Sequence, residues 1–421
     1  MTKNLLLAIM LSIFTAGQVS SQNGQQSISL TTDIPIGDTL KVALEIPPYS
    51  LQATGVEPDY ICINDTIYHL VLTQNTVTLS APTISWFSCE HQLITSLNVG
   101  NATSLKGLDC GNNRISVLNL SQNAALETLM CSGNARLGGT LNLANNPALI
   151  ELGCSGCPIS NISLPTNNSL EILWVSSCPN LTGLSLTSMP ALKTLACNNT
   201  PIQGLNLSNN TNLEYLYCQN TNLTTVNVAN NTSLRELWCN DNNLSSLNVT
   251  GASNLTDLYC FNCNLSQFSV ANCTSLERLF CQHNQIGQTA LTNLINSLPY
   301  HQPTDDNLEL YEFCYYDDYT GSEHNYVLTS AQISSCYNRG WSPKYVVFDT
   351  TIQYPIWIPY PQPNLSFNAM KQQRGQTTEI RSIADIDAND HALWYDMQGR
   401  CMSKPTRSGL YIHNGKKVYI K

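Results

Sequence analysis

A short phrase recurs ten times from residue 84 to residue 288, and it limits what this chain can become. Its frame restarts at Ile84, Leu105, Leu126, Leu149, Leu170, Leu192, Leu213, Leu234, Leu255 and Leu276, at spacings of 21, 21, 23, 21, 22, 21, 21, 21 and 21 residues. Each copy has an apolar residue at position one, Leu or Phe at four, a small residue (nearly always Cys) at six and an Asn-type residue at nine. Leu105, Leu108, Cys110 and Asn113 show it plainly. So short a coil cannot bury its own apolar face, so successive copies must stack and share a core. The product is a solenoid of about ten coils, with a parallel β-sheet on its concave face and short irregular turns on its convex face.

Most of the 17 cysteines belong to this frame. Cys89, Cys110, Cys131, Cys154, Cys197, Cys218, Cys239, Cys260 and Cys281 fill position six, with Val175 as the one exception, and Cys157, Cys178 and Cys263 fill position nine. A column of equivalent thiols specifies no unique pairing. These residues are expected to be buried, reduced and unreactive, acting as small hydrophobes. Cys314 and Cys336, outside the columns, are the disulfide candidates.

Outside residues 83–288 the pattern changes. Residues 1–21, with an apolar run from Leu5 to Phe14, read as a secretory signal peptide, and no later stretch is long and apolar enough to span a bilayer. Residues 22–82 carry strand-like stretches at Ser27 to Thr31, Thr39 to Glu45, Tyr60 to Ile63, Ile67 to Thr73 and Val77 to Ser80, and form a β-rich N-terminal cap over the exposed end of the core. Residues 289–349 predict an α/β C-terminal cap, with Leu291, Leu294, Ile295 and Leu298 at helical spacing, a strand from Leu308 to Phe313, a second helix from Ser330 to Asn338 and a strand from Tyr345 to Phe348. Residues 350–377, with Pro355, Pro359, Pro361 and Pro363, read as a linker. Residues 378–421 form a small β-module whose Asn414-Gly415 pair, between two apolar runs, signals a hairpin.

The repeat resembles the leucine-rich repeat, with Cys in place of its third Leu. With its leader and caps, the chain resembles exported leucine-rich repeat proteins of Bacteroidetes-type bacteria and shares the broad internalin architecture. The tail, with Tyr395-Asp396-Met397-Gln398-Gly399-Arg400 and Gly409-Leu410-Tyr411-Ile412, is similar to C-terminal sorting domains used in type IX secretion. That resemblance implies secretion or outer-surface display, with the secretion machinery as the partner of the tail.

The chemistry of the chain points to binding. Charged residues make up 11% of the sequence and the net charge is -10, with no basic patch, which disfavours a nucleic-acid ligand. Of the seven histidines only His91 and His283 fall in the array, near its opposite ends, and no hydrolase, metalloprotease or phosphate-loop motif occurs. No enzyme activity, cofactor or metal is expected. Cys154-x-x-Cys157 and Cys260-x-x-Cys263 sit at positions six and nine, so repetition accounts for their spacing. Position nine as a whole is expected to be a hydrogen-bond ladder.

The informative column is position five, on the strand face opposite Leu and Cys. It reads Ser88, Asp109, Met130, Gly153, Trp174, Ala196, Tyr217, Trp238, Tyr259 and Phe280. Tyr215 and Phe261 at positions three and seven add rings to the same face, with Glu236, Asp257 and Arg278 beside them. Large exposed apolar patches mark interaction sites. The face is expected to bind an extracellular protein, peptide or glycan, in the manner of an adhesin. The alternative is an envelope or matrix spacer in which the rings only stiffen the sheet.

Overall fold

The computed structural model describes residues 24–64, 66–165, 169–301, 312–317 and 328–349, with the backbones of short strands at 354–359, 394–395, 401–402, 409–413 and 416–420. The signal-peptide stretch, most of the expected linker and much of the tail lie outside the described residues. The rest falls into two compact units. The first runs to Thr224 and includes Asn230–Leu234; the second comprises Thr225–Ala229 and the residues from Arg235 onward.

In the first unit, positions three to five of each coil form a three-residue strand: Trp86–Ser88, Gly107–Asp109, Thr128–Met130, Glu151–Gly153, Ile172–Trp174, Thr194–Ala196 and Tyr215–Tyr217. They pair in parallel with equivalent positions aligned, so Leu108, Leu129, Leu152, Leu173, Leu195 and Leu216 make one continuous inner column. The arrangement is a leucine-rich-repeat-like β-solenoid. The N-terminal segment seals its first coil twice. Thr39–Glu45 pairs antiparallel with Trp86–Ser88, extending the main sheet through Ile67–Val71 to Ile61–Ile63. Gln26–Thr32 pairs with Ile94–Asn98 from the outer half of that coil and with Thr76–Ala81, onto which Gln52–Thr54 adds. Strict alternation in Gln26–Thr32 buries Ile28 and Leu30 completely or nearly so, which is what a cap needs to cover an apolar end.

The second unit continues the pattern with parallel strands Glu236–Trp238, Asp257–Tyr259, Arg278–Phe280, Glu312–Asp317 and Ser342–Asp349. Helices Gln288–Ser297 and Ser330–Asn338 precede the last two. The second helix begins at a capping box in which Thr329 and Gln332 satisfy each other's backbone amides, and it has the bounds expected. Of the strand expected at 308–313, residues 308–311 lie outside the described residues; the described strand is Glu312–Asp317, in which Phe313 pairs with Leu279 at the inner position. The expected linker is also corrected. Tyr354–Pro359 is the edge strand, antiparallel to Ser342–Asp349, a place where Pro355 and Pro359 are tolerated. In the tail, Gly409–His413 pairs antiparallel with Lys416–Ile420, and the expected turn residues Asn414 and Gly415 lie outside the described residues.

The outer side is more regular than the irregular turns expected. Gly139–Asn142 pairs in parallel with Ile159–Ser163, and Thr225–Asn227 with Ser246–Asn248. The pairing shifts register between Gly139 and Thr140, with Ser160 of the following coil left over, and Gly139 has φ of 71°.

Three columns hold the coils together. Every position-six cysteine is buried and free. At position nine, Asn113 donates from Nδ2 to the carbonyls of Cys89, Cys110 and Gly111 and accepts at Oδ1 from the amides of Gln92 and Ile94. Asn134 and Asn284 repeat the scheme, while Cys157, Cys178 and Cys263 keep only its donor half, each bonding a carbonyl of the preceding coil. A further ladder, three residues before each new frame, has Asn123, Asn146, Asn210 and Asn231 donating to preceding-coil carbonyls. Position eight is left-handed throughout: from His91 to His283 all ten residues have φ between 50° and 73°. Asn, Asp and Gly dominate there because they tolerate this conformation best. The two array histidines are members of this turn column.

Cys314 and Cys336, the expected disulfide candidates, are free thiols. Cys314 pairs with Phe280 and so faces away from the core side of its strand, whereas Cys336 lies with Ile333 on the buried side of the second helix.

Candidate binding face

Alternation puts positions three, five and seven on the open face of the main sheet. In the first unit, Trp174 is 37% exposed, and Tyr215 and Tyr217 are half-buried. The face around them is uneven. A side chain at Gly107 would collide with the ring of Trp86, which lies across it, and Gly153 is covered by Met130 and Trp174. Position seven forms a polar seam missed in the sequence. The Ser155 and Ser176 amides donate to the hydroxyls of Ser132 and Ser155, and the Ser176 hydroxyl donates to Asn198 Oδ1 at 2.6 Å. Small hydroxyl residues recurring at one position were its signal.

In the second unit Trp238, Tyr259 and Phe280 form a ladder of rings. The Trp238 and Tyr259 centroids are 4.4 Å apart and tilted by 37°, and those of Tyr259 and Phe280 are 4.8 Å apart and tilted by 19°. Stacking leaves each ring half-buried and turns edges, not faces, to solvent; Phe261 and Glu236 are also half-buried. Asp257, expected as an exposed acidic neighbour, is only 3% exposed. It accepts from Arg278 Nε on the next strand and from the Thr256 hydroxyl at 2.7 Å. Arg278 itself is exposed, and its bond to Asp257 holds its pKa up. Burial, reinforced by Asp257, pushes the Tyr259 phenol up to about 12. Lys344 and Glu312 make a further ion pair on this face. Neither was found in the sequence, because the 21-residue spacing ends before them.

Among the described residues no group of three or more His, Cys, Asp and Glu side chains is placed to hold a metal ion, and no helix is long and apolar enough to cross a membrane. The face offers rings, amides and paired charges, a chemistry of contact.

Several known structures are similar to this chain. The functional domain of InlJ from Listeria monocytogenes, which includes a cysteine ladder, is 18% identical, with 83% of this chain and 93% of that one aligned at a TM-score of 0.46. A leucine-rich repeat protein of Leptospira interrogans is 20% identical over 61% of this chain and 64% of that one, with a TM-score of 0.47. The internalin InlF of Listeria monocytogenes is 18% identical over 62% and 86%, with a TM-score of 0.37. No protein-family model and no curated protein matches the chain.

Proposed function

We propose that the protein is a non-catalytic binding module that engages an extracellular macromolecule through the open face of its sheet. The observation that carries this reading is the row of rings at position five, on the side of the strands that the core does not use. Water-facing aromatic side chains cost solubility, and Trp, Tyr and Arg dominate the energy of protein interfaces. The alternative is a spacer, favoured by the mutual stacking of Trp238, Tyr259 and Phe280. Against it stand the exposed Trp174 and Arg278, which no spacer needs.

The test is a binding screen of the chain from residue 22 onward against extracellular proteins, peptides and glycans. The expected result is a ligand whose affinity falls by about 2 kcal/mol on Trp238→Ala, as at other hot spots. A ligand indifferent to every ring on this face would leave the spacer reading standing. Export to the cell surface or medium is part of the proposal, supported by the apolar run from Leu5 to Phe14 and by the sorting-domain-like tail. Deleting residues 378–421 should abolish surface display while the coils stay folded, as read by cell fractionation and circular dichroism.

A further inference from the structure

The fifth coil breaks the column of thiols. Its position six is Val175 and its position nine Cys178, so Cys178 is the only thiol it carries, whereas the fourth coil carries Cys154 and Cys157. The strands pair Gly153 with Trp174, and the Cys154 amide donates to the Trp174 carbonyl, so the column neighbour of Cys154 on the fifth coil is Val175. Its one thiol neighbour on that coil is Cys178. The Cys178 Sγ lies 3.3 Å from the Cys154 carbonyl oxygen, and the two thiols are hydrogen-bonded to each other.

Two other position-nine thiols, Cys157 and Cys263, meet position-six carbonyls in the same way, at 3.3 and 3.4 Å from the oxygens of Cys131 and Cys239. Each of their coils has a second thiol, Cys154 or Cys260, so no unique partner is specified. Between Cys154 and Cys178 that choice is removed. Both are fully buried, but Cys178 lies between Ser177 and Pro179, which are exposed. Ser177 holds φ of 56° in a left-handed column otherwise filled by Asn, Asp, Gly and His. Serine tolerates that conformation less well, so this turn opens most readily and admits small reagents. The Cys154 hydrogen bond and the amides of Cys157 and Gly156 outweigh burial and hold the Cys178 thiol below its usual range, which favours the nucleophilic thiolate.

We propose that Cys154 and Cys178 are a redox couple, which a low-molecular-weight disulfide oxidises to a bond stapling the fourth coil to the fifth. Cys178 gives its proton to water and attacks one sulfur of the oxidant, whose other sulfur leaves as a thiolate and is protonated by water. Cys154 then loses its proton as its sulfur attacks that of Cys178, and the second half of the oxidant leaves as a thiol. Two protein thiols are thus oxidised to one disulfide, and the oxidant's disulfide is reduced to two thiols. The other column thiols keep the role of small hydrophobes. The couple goes beyond the binding reading and does not rest on it.

The experiment exposes the folded, reduced full chain to oxidised glutathione, blocks the remaining thiols and cleaves with a glutamate-specific protease. Cleavage after Glu151, Glu171 and Glu214 puts Cys154 and Cys157 on one fragment, residues 152–171, and Cys178 on another, residues 172–214. The two fragments are expected as one joined species in nonreducing mass spectrometry and as two after reduction. Cys154→Val, which copies Val175, should abolish the joined species, and so should Cys178→Thr, which copies Thr200; either variant serves if the other fails to fold. Cys157→Asn, which copies Asn134, should leave it in place. Ser177→Gly, which relieves the turn, should slow its formation about fivefold. The proposal is overturned if the fragments stay apart, if they remain joined in Cys154→Val or Cys178→Thr, or if Cys157→Asn separates them. An unchanged rate in Ser177→Gly overturns the opening of this turn as the way in.

Discussion

Leu237 and Trp238 are neighbours in one three-residue strand, yet their surroundings follow different rules. On the inner side every coil repeats nearly the same chemistry, Leu or Phe at position four and Cys or Val at six, all fully or almost fully buried. On the open side the first unit sets Met130, Gly153, Trp174, Ala196 and Tyr217 in sequence, whereas the second stacks three rings. A shared core demands uniformity, because each side chain packs against its counterparts above and below. Nothing in the stacking of coils demands the variety outside, which is why the open face is where function is to be sought.

The largest expected effect attacks the inner side through pH. Burial raises the thiols of Cys89, Cys110, Cys131, Cys197, Cys239 and Cys260 above their usual range, that of Cys197 to about 12. A group whose folded pKa exceeds its unfolded value of about 8.5 contributes stability that is complete below that value and is lost as pH rises toward the folded one. Each such thiol removes about 1.4 kcal/mol per pH unit in that window. Together they should exceed a typical stability of about 5–15 kcal/mol within roughly two units. Circular dichroism should show cooperative unfolding between about pH 9 and 11. Cys239→Val, copying Val175, should make the transition shallower by one proton; full structure at pH 11.5 would refute the burial of this column.

Next comes the pair that opened the comparison. Leu237→Ala should cost about 2–5 kcal/mol in urea unfolding, through lost burial and a cavity. Trp238→Ala should cost at most about 1.5 kcal/mol, the value of its ring contact. Equal losses would mean the open face is structural after all. Slightly smaller than the Leu237→Ala loss is that of Asn113→Ala, about 2–4 kcal/mol, because it strips partners from buried backbone groups on two coils. Asn113→Cys should recover part of that loss, since Cys157 and its equivalents keep the donor half of the arrangement. The smallest effect has the opposite sign. Ser177 holds φ of 56° in a column where Gly costs nothing sterically, so Ser177→Gly should raise stability by up to about 1 kcal/mol in the same assay.

Repetition decided what could be read in advance. Positions four and six were legible because each recurs ten times, and the second helix was expected with the bounds it has, although the Thr329–Gln332 capping box that starts it was not read. The left-handed column was equally repetitive, but Asn, Gly, Ser, Asp and His share no hydrophobicity, only a tolerance of positive φ, and so it passed as generic turn. The Asn123 ladder was hidden in the same way among polar residues that looked solvated. The strand at Tyr354–Pro359 was missed because prolines exclude a strand from a sheet interior and not from its edge. Asp257 was placed on the right face, but its burial depends on Arg278, which stands one repeat later and was read only as another exposed charge.

The asparagine at position nine has one more consequence. Asn134 serves carbonyl and amide groups of the coil before it, as do Asn113 and Asn284, and the ladder of Asn123 and Asn146 reaches back in the same direction. At these two ladders each turn of the chain is thus completed by the asparagine of its successor, which gives the array a polarity like that of a growing polymer. A polypeptide emerging from its N-terminal end is always one coil short of satisfying the last coil formed. Folding should therefore advance vectorially, with an unfinished front that moves in steps of about 21 residues until the closing helices and strands arrive.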